Sequence, residues 1–231
     1  MSLAELEQPV LAAAPRASNA ALIADVARLH LDRSMLTLDA TFGRGTWWRV
    51  WSPDRLISVD RSKGEPMVRA DFRRLPFRRV FGLVAYDPPY KLNGTPSAPD
   101  ERYGVDLPAT REDRERLIVD GVTGCADVMA PGGTLLVKIQ DQVCGGKMRW
   151  QSIMVAVHAA SLGLRLVDRF DMLGARAQPA GTTQQHARDR GSSLLVFRHD
   201  PRHTSALEVH RGGFAEHEID DDRRNLIEVF S

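Results

Sequence analysis

With 231 residues, 43% of them hydrophobic and 26% charged, the chain has the size and make-up of one generous globular domain, or one domain with a tail. A formal net charge of +1 excludes a histone-like polycation, so any nucleic-acid surface is expected as a local patch. Two cysteines, Cys125 and Cys144, exclude a disulfide framework and stand at no metal-ligand spacing, so no metal is expected. The sequence holds no apolar run long enough to span a bilayer, and its opening stretch lacks the basic start of a secretion signal. The expected location is the cytoplasm.

Residues 1–16, rich in Ala and broken by Pro9 and Pro15, read as a loosely held lead-in. Ser18 or Asn19 caps a helix running to about Leu31, with a stripe of Leu22, Ile23, Val26, Leu29 and His30. Met35 to Leu38 reads as a short strand feeding the turn Asp39-Ala40-Thr41-Phe42-Gly43-Arg44-Gly45, and Trp47 to Trp51 as a short helix. Leu56 to Val59 is a second strand, ended by Asp60; Met67 to Ala70 is a third, ended by Asp71. The link between them, RSKGEP, is too short for a helical crossover of about a dozen residues, so the third strand is expected as a stub at an eroded sheet edge. Val80 to Tyr86 is nearly all apolar and reads as a buried central strand. Asp87-Pro88-Pro89-Tyr90 ends it, because neither proline has an N–H to give to a ladder.

Residues 91–109 are rich in Gly, Pro, Asn and Asp and form a long connection of the kind that serves as a lid or stays unstructured. A helix from about Arg111 to Met129 follows, stopped by Pro131-Gly132-Gly133. Thr134 to Ile139 is a strand closed by Gln140-Asp141-Gln142, and Gly145-Gly146-Lys147 is a turn. Trp150 to Leu162 reads as an amphipathic helix, with Ile153, Val157, Ala160 and Ser161 near one stripe. Leu164 to Phe170 and Ser193 to Phe197 are closing strands, readable as a hairpin pair, around a polar loop at 174–191. Residues 200–231 read as a tail. The alternation of strands and helices describes an α/β chain with a doubly wound sheet.

In such sheets ligands bind at the C-terminal edge of the strands. Here that edge carries acids. A strand, then Asp39-x-x-x-Gly43-x-Gly45, brings backbone N–H groups close to a ligand without Cβ obstruction; a plain tight turn is the duller alternative. Asp60 stands about 20 residues beyond Asp39, where an acid hydrogen-bonds ribose hydroxyls in dinucleotide folds. Asp71 is placed to accept the exocyclic amine of an adenine ring. Singly, each acid reads equally well as a helix cap or loop acid; together they describe a site for an adenosine-bearing cofactor. Around the end of the fifth strand, Lys138, Gln140, Asp141, Gln142, Lys147, Arg149 and Trp150 share the edge of Asp87. They are candidates for gripping a nucleic-acid backbone and stacking a base, with a solvated turn as the equal alternative. His186, with Arg188 and Arg190, is a candidate lining of the substrate groove. Arg73, Arg74, Arg78 and Arg79 read mostly as solubility charges, and Trp47, Trp48 and Trp51 as core packing.

The set LTLDATFGRGT, ISVD, RADFRRLPF and VAYDPPY resembles the S-adenosylmethionine-dependent methyltransferases. More narrowly it is similar to the amino-methylating DNA methyltransferases of adenine N6 or cytosine N4, in the motif order found in phage-type enzymes. The resemblance covers roughly residues 18 to 198, and Asp-Pro-Pro-Tyr is its most specific part. It implies a class I (Rossmann-like) sheet of about seven strands, the last antiparallel, and a methyltransferase domain over 17–199. It implies S-adenosyl-L-methionine as cofactor, with methionine and carboxylate near Asp39, Thr41, Phe42, Gly43 and Gly45. The ribose would lie at Asp60, and the adenine at Asp71 with Phe72 beside it. Asp87, Pro88, Pro89 and Tyr90 would be the catalytic set, acting on a base turned out of its duplex.

DNA is the expected partner, adenine N6 ahead of cytosine N4. An RNA methyltransferase of the guanine-N2 kind is one alternative; a non-catalytic binding module on the same fold is another. No block of the size of a target-recognition domain is visible, so specificity is expected to be short or loose, or supplied by a partner protein.

Overall fold

The computed structural model describes residues 16, 18–92, 110–173 and 191–199. The lead-in (Arg16 apart), the long connection beyond Leu92, His186 with its loop, and the 200–231 tail lie outside the described residues.

Among the described residues six strands form one sheet: β1 (Leu36–Asp39), β2 (Arg55–Ser58), β3 (Phe81–Tyr86), β4 (Met129–Ile139), β7 (Leu164–Leu173) and β8 (Gly191–His199). Their order is β2-β1-β3-β4-β8-β7. The pairs β1–β2, β1–β3 and β3–β4 are parallel, and β8 runs antiparallel to both neighbours. This is the expected doubly wound α/β sheet, with its last strand antiparallel. Six strands appear where about seven were expected, because the third candidate keeps a single parallel bridge, Val59 to Val68. The short link before it leaves no helix to cover a further strand.

The side-chain alternation of the strands sorts the core into two layers. Leu83, Ala85, Leu136, Leu194 and Val196 face helix α1 (Asn19–His30) together with Trp47 and Trp48. Val84, Tyr86, Leu135, Val137, Leu195 and Phe197 face α2 (Arg111–Val128) and α3 (Gln151–Ser161). Helix α1 starts where expected: the Ser18 hydroxyl accepts from the Ala21 N–H at 3.2 Å. Helix α2 starts on a reciprocal box between Thr110 and Asp113. It lies unusually close to β3, since a Cβ on Gly121 would stand 2.0 Å from the Tyr86 hydroxyl.

Three local expectations need correction, and the Gly145-Gly146 turn gains flanking strands. Trp47 to Trp51 is not a helix; only a 3-10 turn, Thr46–Trp48, forms after Gly45 at φ +62°. Helix α2 ends at Val128 and β4 begins at once, pairing Met129 with Phe81 before an irregularity at 130–133 and regular pairing from Thr134. The Gly145-Gly146 turn joins two short strands, β5 (Gln142–Cys144) and β6 (Lys147–Arg149), into a separate hairpin. Both glycines have positive φ, as a two-residue type I′ turn demands. Helix α3 turns a different face inward: Gln151, Ser152, Val155 and Ala159 are buried, while Ile153 and Val157 are 41% and 53% exposed. Polar anchors set that phase. Ser152 donates through N and Oγ to Asp141 at 2.8 and 2.7 Å, and Gln151 Nε2 donates to the carbonyls of Gln140 and Tyr90 at 2.6 and 3.0 Å.

Candidate active site

Strands β1, β2 and β3 end level, because Asp39 pairs with both Ser58 and Ala85. Asp39, Asp60 and Asp87 therefore gather along one rim.

Asp39 is buried and bonded by its own fold. Its Oδ1 accepts from the Thr41 N–H at 3.0 Å and its Oδ2 from the Trp48 indole at 2.7 Å. Burial pushes its pKa up to about 7, against the pull of those two donors. Asp60 is buried as well and staples two loops together. Its Oδ2 accepts from Gly43 N at 2.9 Å, while Oδ1 accepts from Ser62 N at 2.9 Å and Lys63 N at 2.6 Å. The loops are so close that a Cβ on Gly64 would stand 1.9 Å from the Gly43 carbonyl oxygen. Gly43 itself has φ +55°, a left-handed conformation that favours glycine.

Asp87 is tied to the glycine turn by its main chain: its N–H donates to Thr41 Oγ1 at 2.8 Å. Its carboxyl is 24% exposed and opens on a hollow of about 450 Å³ shared with Thr41, Phe42, Gly43, Lys63 and Gly64. Pro88 and Pro89 behind it are buried. Lys138 of β4 lies between the two ends of the Asp-Pro-Pro-Tyr turn. Its Nζ is 4.0 Å from Asp87 Oδ1 and 5.8 Å from the centroid of the Tyr90 ring. Burial raises the pKa of Asp87; Lys138, a hydrogen bond with Trp47, and Lys63 pull it back.

The chain leaving the turn is clamped from three elements. The Tyr90 carbonyl accepts from Gln142 Nε2 and from Gln151 Nε2. Gln142 Oε1 accepts from Leu92 N at 3.3 Å, and buried Arg114 donates to the Lys91 carbonyl at 2.7 Å. Gln151 and Arg114 were not candidates in the sequence. Their signal was a polar or cationic residue on the inward face of a helix, where an apolar side chain is the default.

The other candidates are placed apart. Asp71 binds Arg73, whose N, Nε and Nη2 donate to it, and those bonds hold its carboxyl below the usual range. It borders a separate hollow of about 500 Å³ with Arg73, Arg74, Asp120 and Thr123. Phe72 is buried against Tyr86, ring centroids 5.2 Å apart, beneath Gly121 and Gly124 of α2. Neither Asp71 nor Phe72 lines the hollow of Gly43 and Asp87. Lys138, a candidate for gripping a nucleic-acid backbone, is instead buried and turned inward. Gln140 contributes its carbonyl to Gln151. Lys147 is exposed on the hairpin, Arg149 is half-buried, and Trp150 is half exposed. Among the described residues no group of three acids, histidines or cysteines could hold a metal, and no helix is long and apolar enough to cross a membrane.

No protein-family model matches the sequence, and no curated protein matches it. Solved structures do resemble it. TrmN from Thermus thermophilus superposes with a TM-score of 0.49 at 16% identity, over 78% of this chain and 48% of that one. The N-methyltransferase NodS from Bradyrhizobium japonicum WM9 gives 0.47 at 15% identity, over 78% and 94%. The 1,6-didemethyltoxoflavin-N1-methyltransferase of Burkholderia thailandensis, solved with S-adenosylhomocysteine, gives 0.48 at 12% identity, over 79% of each chain. The chain thus spans about half the length of TrmN. At these identities the likeness is one of fold, and chemistry has to be argued from the rim itself.

Proposed function

We propose that the chain is an S-adenosylmethionine-dependent methyltransferase acting on an exocyclic amine of a DNA base, adenine N6 ahead of cytosine N4. One observation carries this reading: the glycine turn and the carboxyl of Asp87 line the same hollow, and Thr41 bonds one to the other.

The residues at the hollow fit the methionyl end of such a cofactor. Its volume, about 450 Å³, falls in the range of small-molecule sites. Gly43 leaves the approach open, the nearest atom to a Cβ there being 3.9 Å away, and Arg44 and Lys63 offer cations to a carboxylate. Thr41, Phe42, Gly43 and Lys63 would hold the cofactor, with Asp39 shaping the turn from beneath. Asp60 already takes three N–H groups, which leaves about one lone-pair position for a ribose hydroxyl. Asp71 and Phe72, which lie outside this hollow, remain the proposed place of the adenine end.

Held by Thr41, Phe42, Gly43 and Lys63, S-adenosylmethionine would supply an electrophilic sulfonium methyl group for the amine lone pair, with the thioether as the leaving group. Asp87 and the Pro88 carbonyl accept the two N–H hydrogens of the amine and draw its delocalised lone pair out of the ring. After transfer the surplus proton leaves through Asp87 or to water. Tyr90 offers a flat face on which a turned-out base stacks. The two buried prolines and the clamps on the Tyr90 and Lys91 carbonyls hold these groups in place, so that catalysis is positioning and electrostatics. A short or loose base specificity, or a partner protein that supplies it, completes the reading.

The test is transfer of labelled methyl onto DNA and RNA pools, followed by nucleoside analysis, with an Asp87→Ala chain that still binds the cofactor as control. Label in N6-methyladenine or N4-methylcytosine of DNA, lost in the control, is the expected result. Label in RNA alone would overturn the choice of DNA; label retained by Asp87→Ala would overturn the mechanism. Bound cofactor with no transfer to either pool would overturn the enzyme in favour of a binding module.

A further inference from the structure

The parallel register of β3 and β4 sets Tyr86 beside Val137, so the next residues, Asp87 and Lys138, are neighbours across the strand ends. A lysine at the end of a strand ordinarily sends its ammonium to water. Lys138 does not: the residue is 5% exposed, and among the described residues the partners of its ammonium are the carboxylate that opens the Asp-Pro-Pro-Tyr turn and the ring that closes it. At 4.0 Å the contact with Asp87 is an ion pair and longer than a direct hydrogen bond. It attracts Oδ1 without consuming the carboxylate's acceptor capacity. The 5.8 Å contact with Tyr90 is within cation–π reach, and such a contact favours the ring face turned to the cation.

We infer that Lys138 is a positioning residue: it keeps Asp87 an ionised acceptor and fixes the Tyr90 ring in register with it, so that the two groups meeting the substrate amine are set by one buried cation. This rests on the proposed function, because it assigns the substrate to Asp87 and Tyr90. Among the described residues, four groups face Asp87. Lys138 approaches from β4, Lys63 from the loop after β2, the Trp47 indole from the 3-10 turn, and Asp39 from the end of β1. Desolvation pushes the carboxyl toward its neutral form, in which one oxygen would become a donor and could no longer accept from the amine. Lys63 lies at the open hollow, so Lys138 is the buried cation among these groups.

The experiment follows the carboxyl ¹³C resonance of Asp87, assigned by its disappearance in Asp87→Asn, through a pH titration of the full chain. Lys138→Met keeps the length and removes the charge; Lys138→Arg restores a cation. The Met chain is expected to raise the Asp87 midpoint by about one pH unit or more, and the Arg chain to return it most of the way. In methyl transfer, the acid limb of kcat should move upward with the same midpoint, and KM for the nucleic acid should rise as Tyr90 loses its hold. An Asp87 midpoint unmoved in a folded Lys138→Met chain would overturn the inference, since a lysine that merely fills space would leave the titration alone. If the Met chain does not fold, Lys138→Gln is read by the same criterion. The resonance needs no turnover, so a chain that transfers no methyl group would refute the proposed function while the titration still decides the role of Lys138.

Discussion

Asp39 and Asp87 end neighbouring strands of one sheet, and burial raises the pKa of both, yet the fold uses them differently. The oxygens of Asp39 meet an indole N–H and a backbone N–H at hydrogen-bond distance, and the side chain is enclosed. The carboxyl of Asp87 also takes a hydrogen bond from Trp47, but its cation stands off at 4.0 Å and a hollow lies in front of it. Two acids that look alike at the ends of two apolar runs are thus told apart by what their oxygens meet. One has its acceptor capacity absorbed by the turn it supports; the other keeps capacity for a ligand.

The sharpest break of this comparison is reciprocal substitution. Asp87→Ala should lower methyl transfer on the order of 100- to 10,000-fold, the range for removing a positioned proton acceptor, while cofactor binding measured by calorimetry persists. Asp39→Ala should instead lose stability and, through the glycine turn, cofactor affinity. If both chains lose transfer and retain stability equally, the division between them is wrong.

The pH dependence of stability sharpens it further. The pKa of Asp39 rises from an ordinary 3.8 to about 7 on folding, so between those values the native state holds a proton that the unfolded chain has released. The stability that this proton contributes is present in full below about pH 4 and is lost as pH rises through about 7; its ceiling is about 4 kcal/mol. Asp39→Asn cannot ionise. Urea unfolding of both chains at pH 4.5 and 7.5 should therefore show the variant gaining on the wild type as pH rises. Parallel curves would mean that the indole and amide donors already hold Asp39 ionised.

Next in size is a change beneath the rim. Alanine at Gly121 would gain about 1 kcal/mol of helix propensity, but its Cβ would stand 2.0 Å from the Tyr86 hydroxyl and 2.9 Å from the Phe72 ring. Tyr86 is fully buried and its hydroxyl reaches the Leu117 and Ile118 carbonyls, so it has no room to swing away. Overpacking of this kind costs about 1–3 kcal/mol, so a net loss of up to about 2 kcal/mol is expected as a lowered Tm. A Tm at or above the wild type would show that α2 can lift from β3 freely.

Much of this was legible in the sequence, for local reasons. An apolar run cut by two prolines can hardly be anything but a buried strand and its end, and β3 with Asp87 follows. Ser18 before a 3.6-period stripe gave the start of α1, and the short link at 61–66 gave the stub of the third strand. What was not legible depends on distant partners. Phe72 follows a strand-end acid, and nothing near it in sequence says that Gly121 and Gly124 have vacated the space that its ring and backbone fill. Lys138 stands next to last in an apolar strand, where a surface lysine is ordinary, and only the register of β3 against β4 turns it toward Asp87. The clamps Arg114 to Lys91 and Gln151 to Tyr90 join residues far apart in the chain.

Helix α3 gives the smallest effect and the cleanest contrast between the two kinds of information. Periodicity alone makes Ile153 and Val157 the core face, because they are the bulky apolar residues at helical spacing. The anchors of Ser152 on Asp141 and of Gln151 on two carbonyls rotate the helix so that Val155 and Ala159 take the inner positions. Ile153→Ala should then change stability by less than about 0.5 kcal/mol, as surface substitutions do. Val155→Ala, at a fully enclosed position, should lose about 1–3 kcal/mol. Chemical denaturation of the two chains reads this directly. Equal losses would mean that the apolar stripe, and with it some further surface packed on α3, outweighs the polar anchors that hold the helix beside the Tyr90 carbonyl.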